Sequence, residues 1–105
     1  MERTAGPELI ALALDLETRR ALDHVAGALR SVRVRLSGEA TVSTEGPERV
    51  GEHLVVGRGA VHPTIEVLTD FIAGGEDPVD DPHAKRRLRT LRDRIHQEAH
   101  ARGWA

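Results

Sequence analysis

The sequence predicts an α+β fold in one domain, residues 1–105, and three observations carry the prediction. Ala84, Leu88, Leu91, Ile95 and Ala99 follow one another at steps of four, three, four and four, the apolar stripe of an amphipathic helix. Val32-Arg33-Val34-Arg35-Leu36 alternates at the period of a half-buried strand, and Glu52-His53-Leu54-Val55-Val56 is a second short β-type run. Glycine and proline cut the chain between these stretches into short units. The expected order is a long N-terminal helix, a three-stranded antiparallel meander, a short helix and a long basic C-terminal helix.

Residues 9–32 admit two readings. In the first, one helix runs from about Pro7 to Arg30, with Ile10, Leu14, Ala21, Val25, Ala28 and Val32 on a heptad stripe broken once around Glu17-Thr18. In the second, Leu9 to Leu14 is a buried strand and a helix begins near Asp15 or Thr18, either of which can act as N-cap. The continuous helix is preferred, because Leu and Ala form helices better than strands. Val32–Leu36 then enters as the first strand, Ser37-Gly38 turns the chain, and Ala40-Thr41-Val42-Ser43 returns beside it. Glu45-Gly46-Pro47-Glu48 breaks the chain, and Glu52–Val56 is the third strand, stopped by Gly57-Arg58-Gly59. Short connections favour the meander. Pro63 suits a first helical position ahead of Ile65, Leu68 and Ile72, with Gly74-Gly75 as the stop. Residues 76–82 form an acidic linker that its prolines extend. Pro82 opens the last helix and Gly103 is placed to cap it.

Apolar residues make up 39% and charged residues 30%, a globular composition. With one Phe, one Trp and no Tyr, the core rests on aliphatic side chains and buries less area per residue. The stripes Ile10/Leu14/Val25 and Leu88/Leu91/Ile95 exceed what a small sheet can cover, which predicts a homodimer. The absence of cysteine excludes disulfides, thiolate chemistry and Cys-ligated zinc. No run approaches the roughly 18 apolar residues of a membrane span. The start, Met1-Glu2-Arg3-Thr4, lacks the basic-then-apolar pattern of a secretory signal. A cytoplasmic protein without a membrane partner is therefore expected, and the Ala-, Arg-, Gly- and Val-rich usage suggests a high-GC, bacterial coding bias.

The net charge of −2 is unevenly placed. Seven Lys/Arg and two acids give residues 82–105 a charge of +5, which leaves −7 on the rest. Such a helix is either a polyanion surface or a counter-charge whose arginines pair with body acids such as Glu17 and Asp23. The second reading is preferred. An acidic body repels a polyanion, Trp104 is the one aromatic nearby, and no second short helix stands at helix-turn-helix distance.

The residues able to do chemistry are few. His53 and His62 flank Gly57-Arg58-Gly59, with Glu52 adjacent; imidazoles and a carboxylate beside a flexible loop are a minimal acid–base set, so these three are the candidate catalytic residues. The ordinary alternative makes His53 an outward strand residue and His62 a helix-start residue. Arg33 and Arg35, on one face of the expected strand, and Arg58 in the loop are the candidate ligand-binding residues, suited to phosphate or carboxylate. Edge-strand charge that discourages aggregation would explain the first two equally. His96-Gln97-Glu98-Ala99-His100 resembles a zinc-protease helix in its histidine spacing, but Gln97 stands where the general base must be. No metal or cofactor is expected.

Three function classes remain, in order of preference. The first is a non-catalytic homodimeric interaction or regulatory protein, with a peptide or another protein as a further partner. The second is a small biosynthetic tailoring enzyme acting on a peptide or polar substrate in a dimer cleft, through His, Arg and carboxylate acid–base and substrate-assisted chemistry. The third is a nucleic-acid binder. Six histidines also predict that self-association weakens below about pH 6.

Overall fold

Three antiparallel strands form one sheet in the order β1-β3-β2, with β1 at Leu9–Ala13, β2 at Glu48–Val50 and β3 at His53–Gly57. The computed structural model describes residues 8–39, 46–74 and 82–104. Helices α1 (Leu16–Leu22), α2 (Ala26–Glu39), α3 (Val61–Ile72) and α4 (Pro82–Ala101) complete the fold, with 3-10 turns at Asp23–Val25 and Arg58–Ala60. The class is α+β, with a sheet of three antiparallel strands and a long basic C-terminal helix, as the sequence predicts.

The N-terminal region follows the strand-plus-helix reading, so the preferred helix from Pro7 is corrected. The long helical run starts at Leu16 and passes through a 3-10 turn to Glu39. Leu9-Ile10-Ala11-Leu12-Ala13 alternates large and small, which suits a strand with one buried face. Ile10 and Leu12 point into the core and pair in register with Val56 and Leu54, while Ala11 and Ala13 face out. This pairing overrides the helix propensity of Leu and Ala. Asp15 then fixes the boundary: its Oδ1 accepts a hydrogen bond from the Thr18 backbone N–H at 2.8 Å, the N-cap of α1.

The expected strand Val32–Leu36 lies inside α2, and so does the expected turn Ser37-Gly38. The burial pattern carries the correction. Val32 is 1% exposed and Val34 is 60% exposed, whereas a half-buried strand would turn both inward. Extending a helix already under way needs no new nucleus, and Ala26, Ala28 and Leu29 supply its propensity. The predicted return strand Ala40–Ser43 and most of the 76–82 linker lie outside the described residues. The sheet is therefore not the expected meander. Of the strands expected in that meander, Glu52–Val56 is found, at His53–Gly57, as the central strand.

Strands β2 and β3 form a hairpin with Val50 opposite His53 and Gly51-Glu52 as its two-residue loop. Just before β2, Gly46 has φ +72°, and any Cβ there would collide with the Val55 carbonyl oxygen, so only glycine fits.

Helix α4 packs against α1 and α3, and its whole predicted stripe is buried. It ends in a Schellman arrangement: Trp104 N–H donates to Ala99 O at 2.8 Å, Gly103 N–H donates to His100 O at 3.0 Å, and Gly103 has φ +78°. The two apolar stripes from which a dimer was expected close on each other within one chain, none of their six residues being more than 5% exposed. Among the described residues no helix is long and apolar enough to cross a membrane.

Candidate functional site

The three candidate catalytic residues are not brought together. His53 opens β3 and His62 follows its far end, and the strand between spans about 13 Å. His62 Nε2 lies 3.2 Å from Glu66 Oε2, an i,i+4 pair on the outside of α3 with both side chains more than 60% exposed. Glu52, in the hairpin loop, has its Oε2 4.0 Å from Arg19 Nη1. His53 lies on the outer face of the sheet between its cross-strand neighbours Ala13 and Val50. The three stand in separate surroundings, and among the described residues no carboxylate links the two imidazoles.

The candidate ligand-binding arginines disperse as well. Two helical positions are about 200° apart, so Arg33 and Arg35 leave α2 on nearly opposite sides rather than sharing a strand face. Arg33 Nη1 stands 3.6 Å from Glu48 Oε2. Arg58 belongs to the C-terminal anchor: it donates to Glu8 Oε1 at 2.8 Å and its guanidinium lies 5.9 Å from the Trp104 ring centroid. Arg102 approaches the same ring at 5.5 Å. Among the described residues no group of three His, Asp or Glu side chains converges that could hold a metal, the pair His96 and His100 included.

Two clefts remain. The larger, about 360 Å³, lies between α1 and the first turns of α4 and is lined by Glu17, Arg20, His24, His83 and Arg87. Its charges are bonded across it: Arg87 donates to Glu17 and approaches Asp15 Oδ2 at 3.7 Å. Hydrogen bonds from the Thr18 side chain and backbone, and then the nearby Arg87 and Arg19 guanidiniums, hold the Asp15 carboxyl below the usual carboxylate range. His24 is also committed, with its ring 5.6 Å from Phe71.

The smaller cleft, about 250 Å³, opens between α2 and β2. Leu22, Leu29 and Leu54, all buried, form its floor. Arg30, Arg33 and Arg49 stand around it with Asp23 and Glu48. No family model matches this chain, and neither does any curated protein or solved structure. The site therefore rests on geometry alone. Of its charged residues, Arg33 is among the candidate ligand-binding residues, Asp23 is expected only as a counter-charge to α4, and Arg49 carries no sequence signal. No spacing could have found them, because the cleft exists only where β2 lies beside α2.

Helix α4 spends part of its charge internally, as the counter-charge reading expects. Arg87 bonds Glu17, Arg94 Nη1 donates to the Ala13 carbonyl at 3.0 Å, and Arg92 reaches Asp93 and Thr69. Asp23, the other expected acid, faces Arg49 of β2 at 4.0 Å instead. Arg86 and Arg89 lie on the exposed side.

The sheet also has an unusual face. Its inner side packs against the helices, but its outer side carries Leu9, Ala11, Ala13, Val50, His53 and Val55, with Glu48 beside Val55 at the edge, and none of the four described helices lies over it. Leu9 is 36% and Val50 54% exposed. Its edges differ. Hydrogen bonds to β3 are made at Glu8 and Leu14, and by the antiparallel alternation also at Ile10 and Leu12, so the polar groups of Leu9, Ala11 and Ala13 face the open edge. Arg94 covers the Ala13 carbonyl. At the other edge β2 is three residues long and carries Glu48 and Arg49, features that discourage further pairing.

Proposed function

We propose that this chain is a small cytoplasmic interaction or regulatory protein without a catalytic centre of its own, and that it works as a homodimer joined through the outer face of the sheet. The observation that supports this reading is that face. Apart from His53 and, at the β2 edge, Glu48 opposite Val55, it carries apolar side chains, and none of the described helices covers it. Two such faces can stack about 10 Å apart, as sheets do in sandwiches. A two-fold axis makes the contact self-complementary, with the Ala11, Ala13 and Val55 surfaces at its centre. The dispersal of His53, His62 and Glu52 supports the non-catalytic part.

The size of the face sets the affinity. Five residues by three strands cover roughly 250 Å², well below the ~800 Å² per partner of a standard interface. Association in the micromolar range or weaker follows. Sedimentation velocity from about 10 to about 500 µM tests it. A concentration-dependent shift towards dimer is expected, and Val55→Asp should abolish it while leaving the circular dichroism spectrum unchanged. A monomer throughout that range, or a dimer indifferent to Val55→Asp, rejects the reading.

A further inference from the structure

We infer that the cleft between α2 and β2 is a binding site for a small monocarboxylate bearing a short apolar tail or ring. This goes beyond the proposed dimer, because the cleft opens between α2 and β2 and shares with the outer face only the edge residue Glu48. Three features of the cleft select that ligand class.

The first is charge. Among the described residues, Arg30, Arg33 and Arg49 line the cleft with Asp23 and Glu48, an excess of one positive charge. The two ion pairs stand at 3.6 and 4.0 Å, longer than hydrogen bonds, so these carboxylates do not saturate the guanidinium donors. Among the described residues Arg30 has no ion-pair partner. One carboxylate balances the excess and matches the planar donor fork of arginine. A phosphate dianion would overshoot it and meet Asp23 and Glu48 at close range.

The second is the floor. Leu22, Leu29 and Leu54 are core residues whose side chains line the bottom of the cleft, so a ligand seated between the arginines rests its other end on hydrocarbon. A purely ionic ligand would leave that surface wet.

The third is size. About 250 Å³ falls below the ~300–1,000 Å³ of sites for drug-sized ligands. A chain of about six carbons or a single ring is therefore the upper limit. Ligands so small bind weakly, and a dissociation constant of about 1 mM is expected.

Hexanoate is the probe, titrated into protein carrying ¹³C-labelled leucine methyl groups. The Leu29 and Leu54 methyl resonances should shift saturably, with the Leu9 and Leu88 methyls unmoved as internal controls. Hexanol, which has the tail without the charge, and inorganic phosphate, which has the charge without the tail, should each bind about tenfold more weakly or worse. Arg30→Gln should weaken hexanoate about tenfold without unfolding the protein, since that side chain is exposed; Arg49→Gln is the second variant. The inference is overturned if hexanoate gives no saturable shift at Leu29 and Leu54. It is overturned equally if hexanol or phosphate binds as well as hexanoate, or if both arginine variants bind hexanoate unchanged.

Discussion

Leu54 and Val55 are neighbours in the central strand and belong to different environments. Leu54 is 1% exposed, pairs with Leu12 and lies in the core beside α3. Val55 points to the other side, where Ala11 is its neighbour on β1 and no helix lies over it. One face of the sheet is thus completed by the chain itself and the other is not. The difference shows where this fold is self-sufficient. Its long helical stripes satisfy one another, whereas the back of the sheet is left uncovered by the described helices.

Substitutions on the two faces should therefore separate folding from association. The largest effect is expected on the inner face. Leu54→Ala removes a fully buried side chain and should cost about 2–5 kcal/mol, a large share of the ~5–15 kcal/mol that holds a domain of this size. Urea denaturation with an unchanged slope would show it. Leu91→Ala, in the α4 stripe, should behave alike and without dependence on protein concentration, because that stripe is closed within the monomer. Val55→Asp should cost the monomer only about 1 kcal/mol, the scale of strand propensity, while it should abolish the proposed self-association. If Val55→Asp unfolds the chain as Leu54→Ala does, the contrast between the faces is wrong.

His53 sharpens the same comparison through pH. It is the imidazole of the outer face, flanked by Ala13 and Val50, with Ala11, Val55 and Glu48 in the next row. Stacking a second copy there removes water from the ring, and the charged imidazole tolerates that less than the neutral one. Protonation therefore opposes association. Dimer affinity should fall about tenfold between pH 7.5 and pH 5.5, across the range in which imidazoles charge. His53→Gln should flatten the profile, and His62→Gln, remote from this face, should leave it as it is. A profile that survives His53→Gln would place the switch elsewhere.

The parts of this fold that were legible in the sequence are those fixed by local periodicity. The stripe from Ala84 to Ala99 and the cap at Gly103 need only neighbours three to five residues away. Ile65, Leu68 and Ile72 after Pro63 are of the same kind. Strand β1 was harder to read, because Leu and Ala carry helix propensity and the decisive fact is pairing with β3, over forty residues away. Val32-Arg33-Val34-Arg35 misled in the opposite sense: its alternation was real, but a helix arriving from Ala26 ran through it. The candidate site was the least legible part. Its arginines come from α2 and β2, and only the packed hairpin sets Arg49 across from Arg33.

A smaller effect concerns the helix layer under the inner face. Thr64 of α3 is fully buried, and among the described residues its Oγ1 has no hydrogen-bond partner. A hydroxyl desolvated without compensation costs about 1–3 kcal/mol. Valine has nearly the same shape without that penalty, so Thr64→Val should stabilise the protein by about 1 kcal/mol. A rise in urea midpoint checks this, and a fall would mean that the hydroxyl is bonded after all.

The smallest effect lies at the junction that turns β1 inward. Asp15 caps α1, and that cap keeps the helix from running back into Leu9–Leu14, residues with the propensity to continue it. Thr18 hydrogen bonds and the nearby arginines stabilise its carboxylate, so its pKa is lower folded than unfolded. A group depressed in this way adds stability above the unfolded pKa, near 3.9 for Asp, and loses it as pH falls through the folded value. Asp15→Asn keeps a good cap and removes only the charge. The variant should therefore be slightly less stable than the parent at pH 7, and the gap should close as the pH falls below about 4. Urea midpoints of the pair at pH 7, 4 and 2.5 would show the convergence. A gap that stays constant to the lowest pH would mean that the charge of Asp15 does not contribute, and that cap geometry alone holds the end of β1.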